Sequence, residues 1–190
     1  MENVTGKIIM LTAPSGAGKT SITKYLLQAF PQLSFSVSAA TRKPRGNEVD
    51  GKDYYFLSEE DFKAKIANDE FVEWEMVYEG NYYGTLKSEI YRMWQNGQVP
   101  VLDIDVKGAI HVESLFGKAC LAIFIQAPSI DELRKRLESR NTDTPENIEI
   151  RINKASYELS FKDKFDAIIV NDDLTKAQQQ AKGLVERFLE

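Results

Sequence analysis

Four short apolar runs recur along the chain, at Lys7 to Thr12, Val99 to Ile104, Ala119 to Ile125 and Phe165 to Val170. Their near-continuous hydrophobicity is the pattern of strands buried on both faces. Between them the period lengthens to that of a helix. Ile22, Leu26, Ala29 and Phe30 fall on one face after the first run, Ile130, Leu133 and Leu137 after the third, and Ala177, Ala181, Leu184, Val185 and Phe188 after the fourth. Strands alternating with amphipathic helices predict an α/β fold around a mostly parallel sheet.

The stretch from Phe35 to about Thr85 departs from this rhythm. Alternating segments such as Phe35-Ser36-Val37-Ser38 and Phe71-Val72-Glu73-Trp74-Glu75-Met76-Val77 are separated by turn clusters, and one short helix opens at Ser58-Glu59-Glu60-Asp61. A small, partly antiparallel insertion is predicted. A polar break at Ser139 to Pro145 interrupts two helices, with Thr144 and Pro145 as an N-cap and N1 pair. The resulting division is a core of 1–34, 86–126 and 155–190, an insertion at 35–85 and a second, helical one at 127–154.

Composition narrows the chemistry. The 190 residues are 43% hydrophobic, enough for one sizeable core, and the formal net charge of −5 argues against a nucleic-acid partner, which needs a basic face across many phosphates. Any anion site must therefore be local. One cysteine, Cys120, lies inside an apolar run, so no internal disulfide, thiolate cluster or paired redox motif can form, and a buried structural thiol is expected. With one histidine, His111, and neither a G-x-S-x-G nor an H-E-x-x-H motif, catalysis falls to Lys, Arg and carboxylates. The segment Met1 to Lys7 lacks the basic and apolar regions of a signal peptide, and no apolar run approaches the ~20 residues of a membrane span, so a cytoplasmic address with no membrane partner is expected.

Directly after the first strand and before an amphipathic helix stands Ala13-Pro14-Ser15-Gly16-Ala17-Gly18-Lys19-Thr20, a Walker A loop in its proper context. Its glycines let backbone N–H groups converge on phosphate oxygens, the helix N-terminus adds positive potential, Lys19 can reach the β and γ phosphates, and Thr20 can ligate Mg²⁺. The loop departs from the pattern at its first position, where Ala13 replaces glycine; this is tolerable if the residue does not need positive φ. In Val101-Leu102-Asp103-Ile104-Asp105, strand alternation puts Asp103 and Asp105 on one side at a carboxyl end, where open α/β sheets bind ligands. Asp103 is a candidate for holding Mg²⁺, directly or through water.

These features do not separate a kinase from an ATPase; a second anion site would. Arg42 and Arg45 stand three apart in a loop stiffened by Pro44, and two guanidinium forks on a short rigid turn suit a terminal monophosphate, although charge alone fits a solvated loop as well. Arg136 and Arg140 are four apart on one helical face, with Arg151 beyond the polar break.

The segment Phe35 to Tyr54, together with Phe71-Val72-Glu73-Trp74, Asn81-Tyr82-Tyr83-Gly84-Thr85, Leu102-Asp103-Ile104-Asp105 and Val170-Asn171-Asp172-Asp173-Leu174, resembles the motifs of the guanylate kinase family over nearly the whole chain. The resemblance implies a P-loop NTPase-type parallel core, a small α+β GMP-binding insertion and a helical lid, with ATP·Mg²⁺ and GMP as the small-molecule partners. It implies that Ser38, Arg42, Arg45, Tyr54 and Tyr83 hold the GMP phosphate or its surroundings, that Glu73, Thr85 and Asp105 face the base, that Arg136, Arg140 and Arg151 are lid arginines, and that Asn171 contacts adenine. Chemistry supports Glu73 independently: guanine presents N1–H and an exocyclic NH₂ side by side to a carboxylate, whereas adenine N1 on that edge is an acceptor. A noncatalytic phosphopeptide-binding module and a P-loop kinase for another phosphorylated small molecule are the rival expectations.

Overall fold

The computed structural model describes residues 6–139 and 144–190. The chain divides into two compact units, one of Met1–Gly6 with Ser34–Pro100, the other of Lys7–Leu33 with Val101–Glu190.

Parallel pairs build the larger sheet. β1 (Ile8–Thr12) pairs on one side with β7 (Val99–Asp103), aligning Leu11 with Asp103, and on the other with β8 (Cys120–Gln126), which in turn pairs with β9 (Ala167–Val170). β2 (Leu33–Phe35) completes the sheet order β2-β7-β1-β8-β9. Ile8, Ile9, Met10 and Leu11 are all fully buried, as the unbroken apolar run requires of a strand covered on both faces. α1 (Lys19–Ala29) buries Ile22 and Leu26 and packs against α7 (Leu174–Leu189), which buries Ala177, Ala181 and Val185. α4 (Val106–Phe116) covers β1 and β8 with Val106, Ala109 and Val112, and α5 (Ile130–Glu138) packs against α6 (Pro145–Leu159). Thr144 caps α6 by accepting from Asn147 N–H, with Pro145 in the first turn, as the sequence indicates. Cys120 is buried, which pushes its thiol up to about 12 and leaves it unreactive.

The first unit carries a smaller sheet of β3 (Ala39–Ala40), β4 (Tyr55–Phe56), β5 (Phe71–Tyr78) and β6 (Asn81–Leu86), in the order β4-β3-β6-β5. β5 and β6 form an antiparallel hairpin, while β3 pairs with β4 in parallel and β6 in antiparallel fashion. α2 (Glu59–Ala67), capped by Ser58 as expected, sends Phe62 into a core with Ala39, Phe71 and Leu86, where the Phe62 and Phe71 rings stack at 4.3 Å. α3 (Lys87–Gln95) follows β6 at once.

Two helices escape the sequence reading. α3 starts at Lys87 directly after β6 with no capping side chain to mark its start, and α4 has Gly108 in its first turn, which blurs its beginning. The alternation assigned to Asp103 and Asp105 is corrected: β7 ends at Asp103, and Asp105 is the N-cap of α4, its Oδ1 accepting the Gly108 N–H at 2.7 Å. A strand-to-helix turn, not a pleat, orients Asp105.

Candidate active site

The loop between β1 and α1 is shaped by two left-handed glycines, Gly16 at φ 94° and Gly18 at φ 98°. Among the described residues the one non-glycine with positive φ is Asp69, so Ala13 sits in ordinary backbone and needs no glycine. Ala17 N–H donates to Pro14 O at 3.1 Å, closing the turn. Asn171, buried just after β9, donates Nδ2 to Ala17 O and its backbone N–H to Gln126 O, both at 2.8 Å. It braces the loop as well as bordering it. No side chain caps α1 at Gly18, which leaves that helix terminus open to an anion.

Lys19 places its Nζ on Asp103 Oδ1 at the end of β7. Burial holds the Lys19 amine down to about 8, with Glu158 raising it and Lys154 lowering it further. Arg151 on α6 donates Nη1 to Ser15 Oγ at 2.7 Å, bringing one predicted lid arginine to the phosphate loop. Arg136 donates Nε to Glu132 at 3.0 Å, and its neighbour Arg134 pairs with Glu149, joining α5 to α6. Arg140 lies outside the described residues. Thr20, in the first turn of α1, is exposed. Among the described residues no cluster of three His, Cys, Asp or Glu side chains forms a metal cage. The Thr20 hydroxyl and Asp103 carboxylate are hard oxygen donors, the set that suits Mg²⁺ arriving on substrate phosphates.

Of the predicted acceptor residues, Ser38, Arg42, Arg45, Tyr54, Glu73, Tyr83 and Thr85 lie in the first unit and Asp105 in the second. Arg42 makes a two-pronged pair with Glu48 at 2.6 and 2.8 Å and lies over the Tyr54 ring at 4.7 Å. The Tyr54 and Tyr83 rings meet edge to face at 6.2 Å. Glu48 Oε2 also accepts the Arg45 N–H at 2.8 Å, while the Arg45 side chain is exposed. The Arg42 hydrogen bond, then that from the Arg45 backbone, draws Glu48 down to about 2, and Arg42 is raised in turn. A carboxylate spanning a guanidinium and a backbone N–H uses the donor geometry that a phosphate would use. On the neighbouring hairpin Glu73 and Thr85 are register partners, and the buried Thr85 hydroxyl donates to Glu73 Oε1 at 2.7 Å. Ser38 O accepts the Tyr55 N–H at 2.9 Å.

Two carboxylates of this unit were not singled out from the sequence. Glu48 could have been found as an acid six residues past Arg42 in the same loop. Glu89, buried on α3, carried no signal once that helix went unread.

A family model described as guanylate kinase matches residues 5–188. The chain is 50% identical over 183 residues to a guanylate kinase of Bacteroides fragilis, covering 96% of this chain and 90% of that one. It is 46% identical over 182 residues to a guanylate kinase of Salinibacter ruber, covering 96% of both. The crystal structure of guanylate kinase from Anaplasma phagocytophilum is similar with a TM-score of 0.72 at 28% identity, over 97% of this chain and 87% of the other.

Proposed function

This chain belongs to the guanylate kinase family, and from that premise we propose how its residues divide the work of the reaction it catalyses, transfer of a phosphoryl group from ATP to GMP to give ADP and GDP. On the donor side, Ala13, Pro14, Ser15, Gly16, Ala17, Gly18, Lys19 and Thr20 hold the ATP phosphates, and Asn171 borders the adenine while its amide nitrogen braces the loop. Thr20 and Asp103 would hold Mg²⁺, which when bound neutralises charge on the β and γ phosphates. Lys19 exchanges its contact with Asp103 for a phosphate oxygen. Segment 127–154 acts as the lid, and Arg136, Arg140 and Arg151 spread positive charge over the phosphoryl group in flight.

On the acceptor side, Ser38, Arg42, Arg45, Tyr54 and Tyr83 hold the GMP phosphate, whose dianion displaces Glu48 from Arg42. Glu73, Thr85 and Asp105 read the base. A nucleoside monophosphate carries a nucleophilic oxygen at neutral pH, so positioning and charge compensation suffice and no general base is assigned. A cytoplasmic address, where free nucleotides are abundant, is part of the proposal.

The observation that carries guanine selectivity is the Thr85 hydroxyl on Glu73 Oε1: a buried donor on the adjacent strand fixes the carboxylate as an acceptor. Guanine N1–H and NH₂ satisfy such a carboxylate, and adenine leaves it mispaired. A coupled assay of ADP release with AMP, GMP, CMP and UMP tests the reading. Strong preference for GMP is expected, and equal use of the four would remove the assignment of Glu73 to the base.

A further inference from the structure

Glu89, in the first turn of α3, is 2% exposed and receives donors from three directions. Val37 N–H reaches Oε1 at 3.4 Å, the Tyr55 hydroxyl donates to Oε2 at 2.9 Å, and Arg92 donates Nε to Oε2 and Nη2 to Oε1, both at 2.8 Å. Burial by itself would push this carboxyl up, but Arg92, Tyr55 and Val37 outweigh it and leave it below the usual range, so the site holds the anion. Helical ion pairs three residues apart ordinarily sit on the surface and carry little. Here the Glu89 carboxylate is turned inward while Arg92 stays exposed, and the carboxylate's other two donors belong to the segments that flank Ser38 and Tyr54.

The connections close a circuit. Val37 N–H is bound to Glu89; the next residue, Ser38, gives its carbonyl to Tyr55 N–H at 2.9 Å; and the Tyr55 hydroxyl returns to the same carboxylate. Tyr54, adjacent in the chain, places its ring under the Arg42 guanidinium at 4.7 Å. The neighbouring Ser36 hydroxyl is buried with no hydrogen-bond partner among the described residues, so it does not share the task of anchoring the loop.

We propose that Glu89 is a positioning residue of the acceptor site, its buried carboxylate joining the Val37–Ser38 and Tyr54–Tyr55 segments so that Ser38 and Tyr54 are pre-set for the phosphate of the acceptor nucleotide. The proposal rests on the reading that Ser38 and Tyr54 face that phosphate. Glu89 touches no substrate in this scheme; it lowers the ordering cost that GMP binding would otherwise meet.

Steady-state kinetics of the full chain, with thermal melts, provide the test. Glu89→Gln replaces one acceptor oxygen by a donor opposed to Val37, Tyr55 or Arg92, and should raise KM for GMP about tenfold while leaving KM for ATP unmoved. Tyr55→Phe removes only the hydroxyl arm and should shift the same constant by roughly threefold, which decides the matter if Glu89→Gln does not fold. Glu89→Asp, which keeps the charge, should recover part of the loss. A fall in melting temperature with KM for GMP unchanged, or equal rises in both KM values, would make Glu89 a structural residue only and overturn the proposal. Ser38→Ala serves as the reference. If Ser38→Ala raises KM for GMP and Glu89→Gln does not, the inference fails and the pocket reading stands; if neither does, the pocket reading fails and the inference with it.

Discussion

In the proposed mechanism Lys19 waits in a geometry that it leaves when ATP binds. Its amine rests on Asp103 and is held near 8 by burial, an environment in which a phosphate oxygen is a stronger partner than in water. Lys19→Met should lower kcat by at least ~10²-fold with the circular dichroism spectrum unchanged, the scale of loss on removing one preorganised transition-state donor. Near wild-type turnover in a folded variant would contradict the role. Glu73→Gln keeps size but sets an NH₂ donor against guanine N1–H and NH₂, or against Thr85. A mispaired buried polar group costs about 1–3 kcal/mol, so the GMP/AMP ratio of kcat/KM should fall roughly ten- to a hundredfold. An unchanged ratio would send the search for the guanine reader elsewhere. For Glu48 the pH dependence has a definite sign. Its folded value of about 2 lies below the ordinary 4.5, so any stability from its pairing with Arg42 is present above 4.5 and is lost as pH falls toward 2. Melting temperatures of wild type and Glu48→Gln should differ at pH 6 and converge as pH is lowered from 4.5; a constant gap would exclude the pair as the source.

At the scale of elements, the loop from Ala13 to Thr20 depends on backbone conformation more than on side chains. Gly18 combines φ 98° with a near neighbour, since a Cβ there would lie 2.1 Å from Asn171 Nδ2. Gly18→Ala should therefore displace the Asn171 brace from Ala17 and cost about 1–3 kcal/mol of strain, with a rise in KM for ATP and little change in KM for GMP. Melts and paired substrate titrations read this out, and an unaltered KM for ATP would show that the loop tolerates a side chain at that point. The smaller sheet teaches a different lesson. β5 carries a register shift between Phe71 and Glu73, so Phe71 and Val72 are both buried while Trp74 is exposed. Strict alternation would put Phe71 and Glu73 on one face opposite Trp74; a bulge that bends the strand is invisible to it.

Over the whole molecule, the residues proposed for the donor phosphates lie in the Lys7–Leu33 and Val101–Glu190 unit, and those proposed for the acceptor phosphate lie in Ser34–Pro100. Amide hydrogen exchange should register this division. GMP alone should slow exchange in Ser38–Ala40, Tyr54–Phe56 and Tyr83–Thr85, and a non-hydrolysable ATP analogue should slow it in Ala13–Thr20. Protection by GMP confined to Ala13–Thr20 would overturn the two-site assignment.

The parallel core, the glycine loop with its lysine, and the Thr144–Pro145 helix start are legible in the sequence, because each rests on local physics: a buried strand needs a continuous apolar run, a loop suited to phosphate needs glycine at positive φ, and a helix needs a cap within three residues. Resemblance extended that reading to the acceptor residues. Tertiary structure alone decided that Asp105 caps a helix, that Glu48 holds the Arg42 fork, and that Glu89 joins Val37 to Tyr55 across 52 and 34 positions of sequence. The Glu48 and Glu89 pairings join charges and polar groups without any periodic spacing. For Glu89, at 2% exposure, burial strengthens the contacts by removing water as a competing partner, and burial is a property of the folded chain rather than of any window along it.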